Sequence, residues 1–200
     1  MTSQAESVDL KAALMHADGL LAVNPQLAEE QALEILKTYS DSPPARRIHA
    51  AALRLQGKGD RALAIITPVA EVHNVEPNVR HEYALCLAAN SRVDEAIAIL
   101  RDVVQQDPRH ASAWRSLGDY LNAIGDEKGS REAYNKHIEV STRHPELITA
   151  AEHLYKKQLP KAEQLTREVL KKDPVDIIAI RMLAAIGIEL GRWDDAINLL

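Results

Sequence analysis

A chain of 200 residues with 46% hydrophobic content is too apolar for wholesale disorder and long enough for one ordinary domain or a row of short helical hairpins. Its net charge of -5 argues against nucleic acid as the main partner, which would favour a basic surface. One cysteine, Cys86, a polar start (MTSQAESVDL) without the pattern of a secretory signal, and no apolar run near the roughly 18 residues of a membrane span give a soluble, cytoplasmic reading with no membrane partner.

Ala and Leu dominate and Phe is absent, which favours helices packed through small contacts. Residues 5–23 predict a first helix with Leu10, Ala13, Leu14, Ala17, Leu20 and Leu21 on its apolar side. Asn24-Pro25 breaks it, and 26–39 is its partner. The next hairpin pairs 44–56 with 60–73 around Gly57-Lys58-Gly59, and a third pairs 78–90 with 93–106 before Asp107-Pro108. In the fourth, Trp114, Leu117 and Leu121 share one stripe, Gly118 lies beside it, and Gly125-Asp126 forms the turn. Ala133, Tyr134, His137 and Ile138 then mark the inner face of the return helix. The fifth pairs 146–157 with 161–172, with Gln158-Leu159-Pro160 in place of the glycine turn. The sixth runs from Ile177 to Leu190, turns at Gly191-Arg192 and starts again at Trp193.

The segment Trp114-x2-Leu117-Gly118, followed by Tyr134, resembles the tetratricopeptide repeat, a helix-turn-helix unit of about 34 residues. Aligning the small residue of each second helix gives Ala32, Ala62, Ala96, Ser130, Ala162 and Ala196, at steps of 30, 34, 34, 32 and 34. The resemblance implies an all-α fold: a right-handed superhelical solenoid of about six antiparallel hairpins. Their bounds are a divergent capping hairpin at 1–42, four repeats at 43–76, 77–110, 111–144 and 145–176, and an incomplete sixth at 177–200. The expected packing residues are Ala62, Ala96, Trp114, Leu117, Gly118, Tyr134, Ala162 and Ala196. A large side chain at Gly118 is expected to separate the third and fourth hairpins. Because the sixth hairpin stops in mid-helix, a further domain is expected beyond Leu200.

The stretch AYNKHIEVSTRHPELITAAEHLYKKQLPKAEQLTREVLKKDPVDIIAIRMLAAIGIELGRWDDAINLL (Ala133–Leu200) resembles the repeat region of bacterial tetratricopeptide-repeat sulfotransferases. That resemblance implies a non-catalytic arm preceding a domain that uses 3'-phosphoadenosine 5'-phosphosulfate, positioning a substrate or pairing two subunits. The phosphosulfate-binding loop of such a domain does not occur in this stretch, so no catalytic residue carries over.

Little else points to chemistry. Gly57-Lys58-Gly59-Asp60 lacks P-loop spacing and a preceding strand, and reads as a turn. His137, His144 and His153 lie near one another in sequence, but no HExxH pattern occurs; His137 reads as a core histidine. Cys86, between Leu85 and Leu87, reads as an inert buried thiol. No catalytic residue, cofactor or metal is expected.

Binding is the more informative reading. In this repeat family the fifth position of each first helix faces a concave groove, and here those positions hold Arg47, His81, Arg115, Leu147 and Arg181, with Asp119, Asn122 and His144 expected nearby. Arginine forks onto carboxylate, phosphate or sulfate. The alternative is that these cations pair with Glu82, Asp119 and Glu152 as weak surface pairs. Ala51 stands where the clamp of chaperone-binding members has Asn, which disfavours chaperone C-termini as ligands. The expected function is a protein-binding scaffold whose groove takes an acidic peptide segment or a companion domain of its own polypeptide. Pairing of two chains through Ile197, Leu199 and Leu200 is the remaining reading.

Overall fold

The computed structural model describes the backbone of residues 2–72, 75–142 and 144–199, and the side chains among them except those of 2–8, 195, 196 and 199. Among the described residues the chain forms twelve α-helices and no strand. It divides into two compact units, Met1–Pro108 and Arg109–Leu200. The first holds α1 (Thr2–Leu20), α2 (Pro25–Thr38), α3 (Pro43–Leu55), α4 (Gly59–Ala70), α5 (Pro77–Ala89) and α6 (Val93–Gln106). The second holds α7 (Ala111–Ala123), α8 (Glu127–Ser141), α9 (Glu146–Tyr155), α10 (Leu159–Lys172), α11 (Ile177–Glu189) and α12 (Trp193–Leu199). Consecutive helices pack on one another within each unit.

The turns inside the second to sixth hairpins share one backbone device. Gly57, Ser91, Gly125, Lys157 and Gly191 all adopt left-handed φ, between 55° and 83°. Each is followed by a residue whose N–H reaches back five places: Lys58 to Leu53, Arg92 to Leu87, Asp126 to Leu121, Gln158 to His153 and Arg192 to Gly187, at 2.8–3.0 Å. This bond satisfies a carbonyl left open at the helix end and reverses the chain in the fewest residues. The fifth hairpin therefore keeps the turn of the others. Lys157 occupies the glycine position, and Gln158, read from the sequence as part of a replacement for the glycine turn, donates the closing bond.

Helix starts are set by side chains. Asn24, Ser42, Asp126 and Asp176 accept the N–H three residues on, at 3.1, 3.4, 2.9 and 2.8 Å, and His110 Nδ1 accepts that of Ala113 at 3.2 Å. Each such cap is worth about 1 kcal/mol.

Small residues fill the places where helices meet most closely. Ala32, Ala62, Ala96 and Ala162 are fully buried, and Ser130 nearly so. Ala196 lies outside the described side chains. In the first unit, Leu53, Ile66, Val69, Val79 and Cys86 share one core. Beside it Glu82 takes a fork from Arg54, with Nε to Oε1 at 2.6 Å and Nη2 to Oε2 at 3.2 Å. Cys86 is fully buried, and burial, reinforced by Glu82, pushes its thiol far up. The core of the second unit gathers Leu147, Ala151, Ala162, Val169, Ala179 and Ile186. Of the three residues read as a pairing surface, Ile197 is exposed, whereas the side chains of Leu199 and Leu200 lie outside those described.

Gly118 corrects one expectation. A Cβ built there would meet the ring of Tyr134 at 2.7 Å. Tyr134 belongs to α8, the return helix of the same hairpin, so a side chain at 118 would wedge α7 from α8 rather than part the third and fourth hairpins.

Three substitutions test these turns and contacts by urea denaturation. Ser91→Gly relieves a left-handed serine and should stabilise the chain by about 0.5–1 kcal/mol. Gly118→Ala should destabilise it by about 1–3 kcal/mol through overpacking against Tyr134, and Tyr134→Leu in the same chain should recover part of that loss.

Candidate binding groove in the second unit

The second unit contains an open groove of about 840 Å³. Helical spacing builds it. On α7, Arg115, Asp119 and Asn122 fall on one face; on α8, Arg131, Tyr134, His137 and Ile138 do the same. Ala151, Leu154 and Tyr155 of α9 continue the lining, and α11 closes it with Ile178, Arg181, Met182, Ala185 and Ile188. The sequence of α11 is apolar nearly all round. Ala179, Met182, Leu183 and Ile186 are buried, Met182 behind the groove wall, and Ile178, Ala185 and Ile188 line the groove with more exposure.

Polar groups stand around that floor. Arg115, Lys128, Arg131, Lys157 and Arg181 are set against Asp119, Glu127 and Glu189, an excess of cations in a chain of net charge -5. Some are engaged internally. Lys157 meets Glu189 at 2.6 Å, and Arg115 Nε lies 3.9 Å from Asp119. These side chains are about half exposed, so solvent screens both pairs and each is worth under about 1 kcal/mol. Arg181 is exposed and has no carboxylate within ion-pair distance among the described residues. The guanidinium of Arg131 stands 5.9 Å from the centroid of the Tyr155 ring. Burial pushes the Tyr155 phenol up to about 12. The Tyr134 hydroxyl donates to Asp119 at 2.7 Å; burial first, and that bond second, hold its proton firmly.

His137 belongs to the groove wall. Its Nδ1 lies 2.9 Å from the Ala111 carbonyl and 3.2 Å from Ser141 Oγ, and the ring is half-buried. Desolvation holds its pKa below the usual 6.5, with the charges of Arg115 and Arg181 adding in the same direction. The sequence reading of a core histidine is thus corrected: packing on one side leaves the ring lining the groove on the other.

The structure sorts the sequence-derived positions. Arg115, Asp119, Asn122 and Arg181 line this one groove. His144 does not; it faces Asp173, with Nε2 at 3.7 Å. Leu147, placed by alignment on the groove face, is fully buried and serves the core. Arg47 and His81 belong to the first unit. Arg47 meets Asp18 of α1 at 2.5 Å, and half-buried His81 has interactions of its own. The acids named as alternative partners divide similarly: Asp119 meets Arg115, but Glu82 pairs with Arg54 and Glu152 with Lys156. Sequence reasoning missed Arg131, Lys128 and Tyr155. Their signal was the α8 and α9 spacing opposite α7, which has meaning only once the helices are paired.

With this geometry in place, comparison with known proteins is informative. A family model described as tetratricopeptide repeat matches residues 49–109 and again 84–145. Residues 49–145 therefore match the tetratricopeptide repeat, and the all-α fold is like that of solved tetratricopeptide-repeat structures. A solved thermophilic tetratricopeptide-repeat protein of Thermus thermophilus superposes with TM-score 0.69 at 15% identity, over 94% of this chain and 99% of that one. Two curated proteins are similar in sequence. The cytochrome c-type biogenesis protein CycH of Pseudomonas aeruginosa is 32% identical over 113 residues, 53% of this chain and 27% of its own length. The formate-dependent nitrite reductase complex bifunctional subunit NrfFG of Haemophilus influenzae is 28% identical over 128 residues, 62% of this chain and 31% of its own length. The chain thus spans less than a third of these relatives. Neither name is that of a sulfotransferase, and the likeness seen in Ala133–Leu200 gains no support from them. Among the described residues no helix is long and apolar enough to cross a membrane.

A titration reads the groove's electrostatics. Followed by NMR, His137 should titrate below 6.5 in the parent chain. Its pKa should move upward in an Arg115→Ala, Arg181→Ala double variant, because two like charges facing the ring are removed.

Proposed function

We propose that the second unit is a non-catalytic recognition module whose groove binds an acidic, extended protein segment, supplied by a partner or by the rest of its own polypeptide. The observation that carries this reading is the convergence of Arg115, Arg181 and Arg131 on an apolar floor, with Arg181 lacking an acidic partner among the described residues. An extended peptide would lay apolar side chains on Leu154, Ala185 and Ile188 while its carboxylates meet the guanidinium groups. Because the hairpins are preorganised, little ordering cost falls on the protein side. The relatives' names fit a role beside other polypeptides: one concerns biogenesis of c-type cytochromes, the other is a subunit of a nitrite reductase complex.

Fluorescence anisotropy with acidic, neutral and basic peptides of equal length tests the reading. Acidic peptides containing an apolar anchor should bind at least about tenfold more tightly than neutral ones, a difference of about 1.4 kcal/mol. The preference should shrink with added salt and vanish in the Arg115→Ala, Arg181→Ala variant. Equal binding of all three peptide classes, or an acidic preference that survives the double substitution, would overturn the assignment.

A further inference from the structure

Outside the groove, the second unit brings three metal-ligating side chains together from two separate inter-helix connections. His144 lies in the link from α8 to α9; Asp173 and Asp176 flank the link from α10 to α11. One donor atom of each lies within 4.8 Å of the others, and all three residues are half-buried. His144 Nε2 and Asp173 Oδ2 are 3.7 Å apart, too far for a hydrogen bond and near the spacing of two ligands on one small cation.

We propose that His144, Asp173 and Asp176 form a binding site for one divalent transition metal, zinc being the best match, which ties the α8–α9 connection to the α10–α11 connection. A neutral imidazole with two carboxylates is a donor set that zinc accepts, leaving a fourth position for water. Ligands about 2.0–2.1 Å from a tetrahedral ion lie roughly 3.3 Å apart, so the donors close by at most about 1.5 Å, within the reach of side-chain rotation.

The surroundings already orient two ligands. Asp176 Oδ1 accepts the Ala179 N–H at 2.8 Å, which fixes the carboxylate at the start of α11. Its Oδ2 accepts from Thr142 Oγ1 at 3.3 Å, and that same hydroxyl accepts the His144 N–H at 3.0 Å. Asp173 Oδ1 takes the Val175 N–H at 3.4 Å, leaving Oδ2 toward the imidazole. Outer bonds of this type are what hold metal ligands in register. Sequence spacing concealed the site, because His144 and the aspartates stand on different hairpins and match no short ligand motif.

The site is independent of the groove and is tested without it. Metal-free protein is titrated with zinc chloride by calorimetry, and its melting temperature is read with and without zinc. Parent protein and a His153→Ala control, altered at a histidine that instead meets Gln158, should bind one equivalent alike and melt higher with zinc. His144→Ala and Asp173→Asn should each weaken binding at least tenfold and lose the zinc-dependent rise. Asp176 is left intact because it caps α11. Binding should also weaken on acidification, since the ligands must be deprotonated. Unchanged zinc affinity in His144→Ala and Asp173→Asn, or no binding by the parent, would overturn the proposal. A fold check by circular dichroism separates loss of the site from loss of structure.

Discussion

The structure depends on how each hairpin turns. A left-handed residue followed by an N–H that returns five places closes α3 onto α4, α5 onto α6, α7 onto α8, α9 onto α10 and α11 onto α12. The bond ends one helix and aims the next antiparallel to it, so the small residues Ala62, Ala96, Ser130 and Ala162 arrive at the close contacts where they are buried. Glycine supplies the conformation at no steric cost in three turns. Serine and lysine supply it in two, because the closing bond and the packing of both helices over-determine the backbone there. The geometry is therefore a property of the hairpin rather than of glycine alone.

In the second unit the same packing sets the chemistry of the groove. Gly118 has no side chain, so the Tyr134 ring lies against α7. That places the Tyr134 hydroxyl on Asp119, one turn from Arg115. A glycine needed for helix approach thus orients a carboxylate of the groove wall. Further along, α11 carries more apolar surface than its neighbours cover, and part of it, Ile178, Ala185 and Ile188, lines the groove with Arg181 and Tyr155. Charge at the rim and an apolar floor follow from stacking helices whose faces do not match in extent.

Ionic contacts divide by burial. Arg54 and Glu82 form a fork in which the carboxylate is almost fully enclosed, so removing Arg54 would strip a buried charge of its guanidinium partner. Pairs around the groove are exposed and exchangeable, which suits a surface that must release its own contacts to accept a ligand's. The two similar curated proteins share stretches of sequence with this chain, and the Thermus structure shares its fold; the fold says that side chains are presented on paired helices, not which ligand they meet.

Periodicity in the sequence determined the helices, their pairing into hairpins and the small residues at their contacts, because local hydrogen bonding and a repeated apolar stripe act over a few residues at a time. The resemblance to the repeat family, through the fifth position of its first helices, marked Arg115 and Arg181, with Asp119 and Asn122 beside them. Tertiary structure decided the rest. Leu147 occupies the same repeat position as these arginines yet is buried, and His137, whose position reads as core, lines the groove. Lys157 was hidden because a left-handed turn without glycine leaves no residue signature. The meeting of His144 with Asp173 and Asp176 required two connections to be brought side by side. Each of these depends on distances between residues far apart in the chain, which a one-dimensional pattern does not encode and which only the packing of whole hairpins fixes.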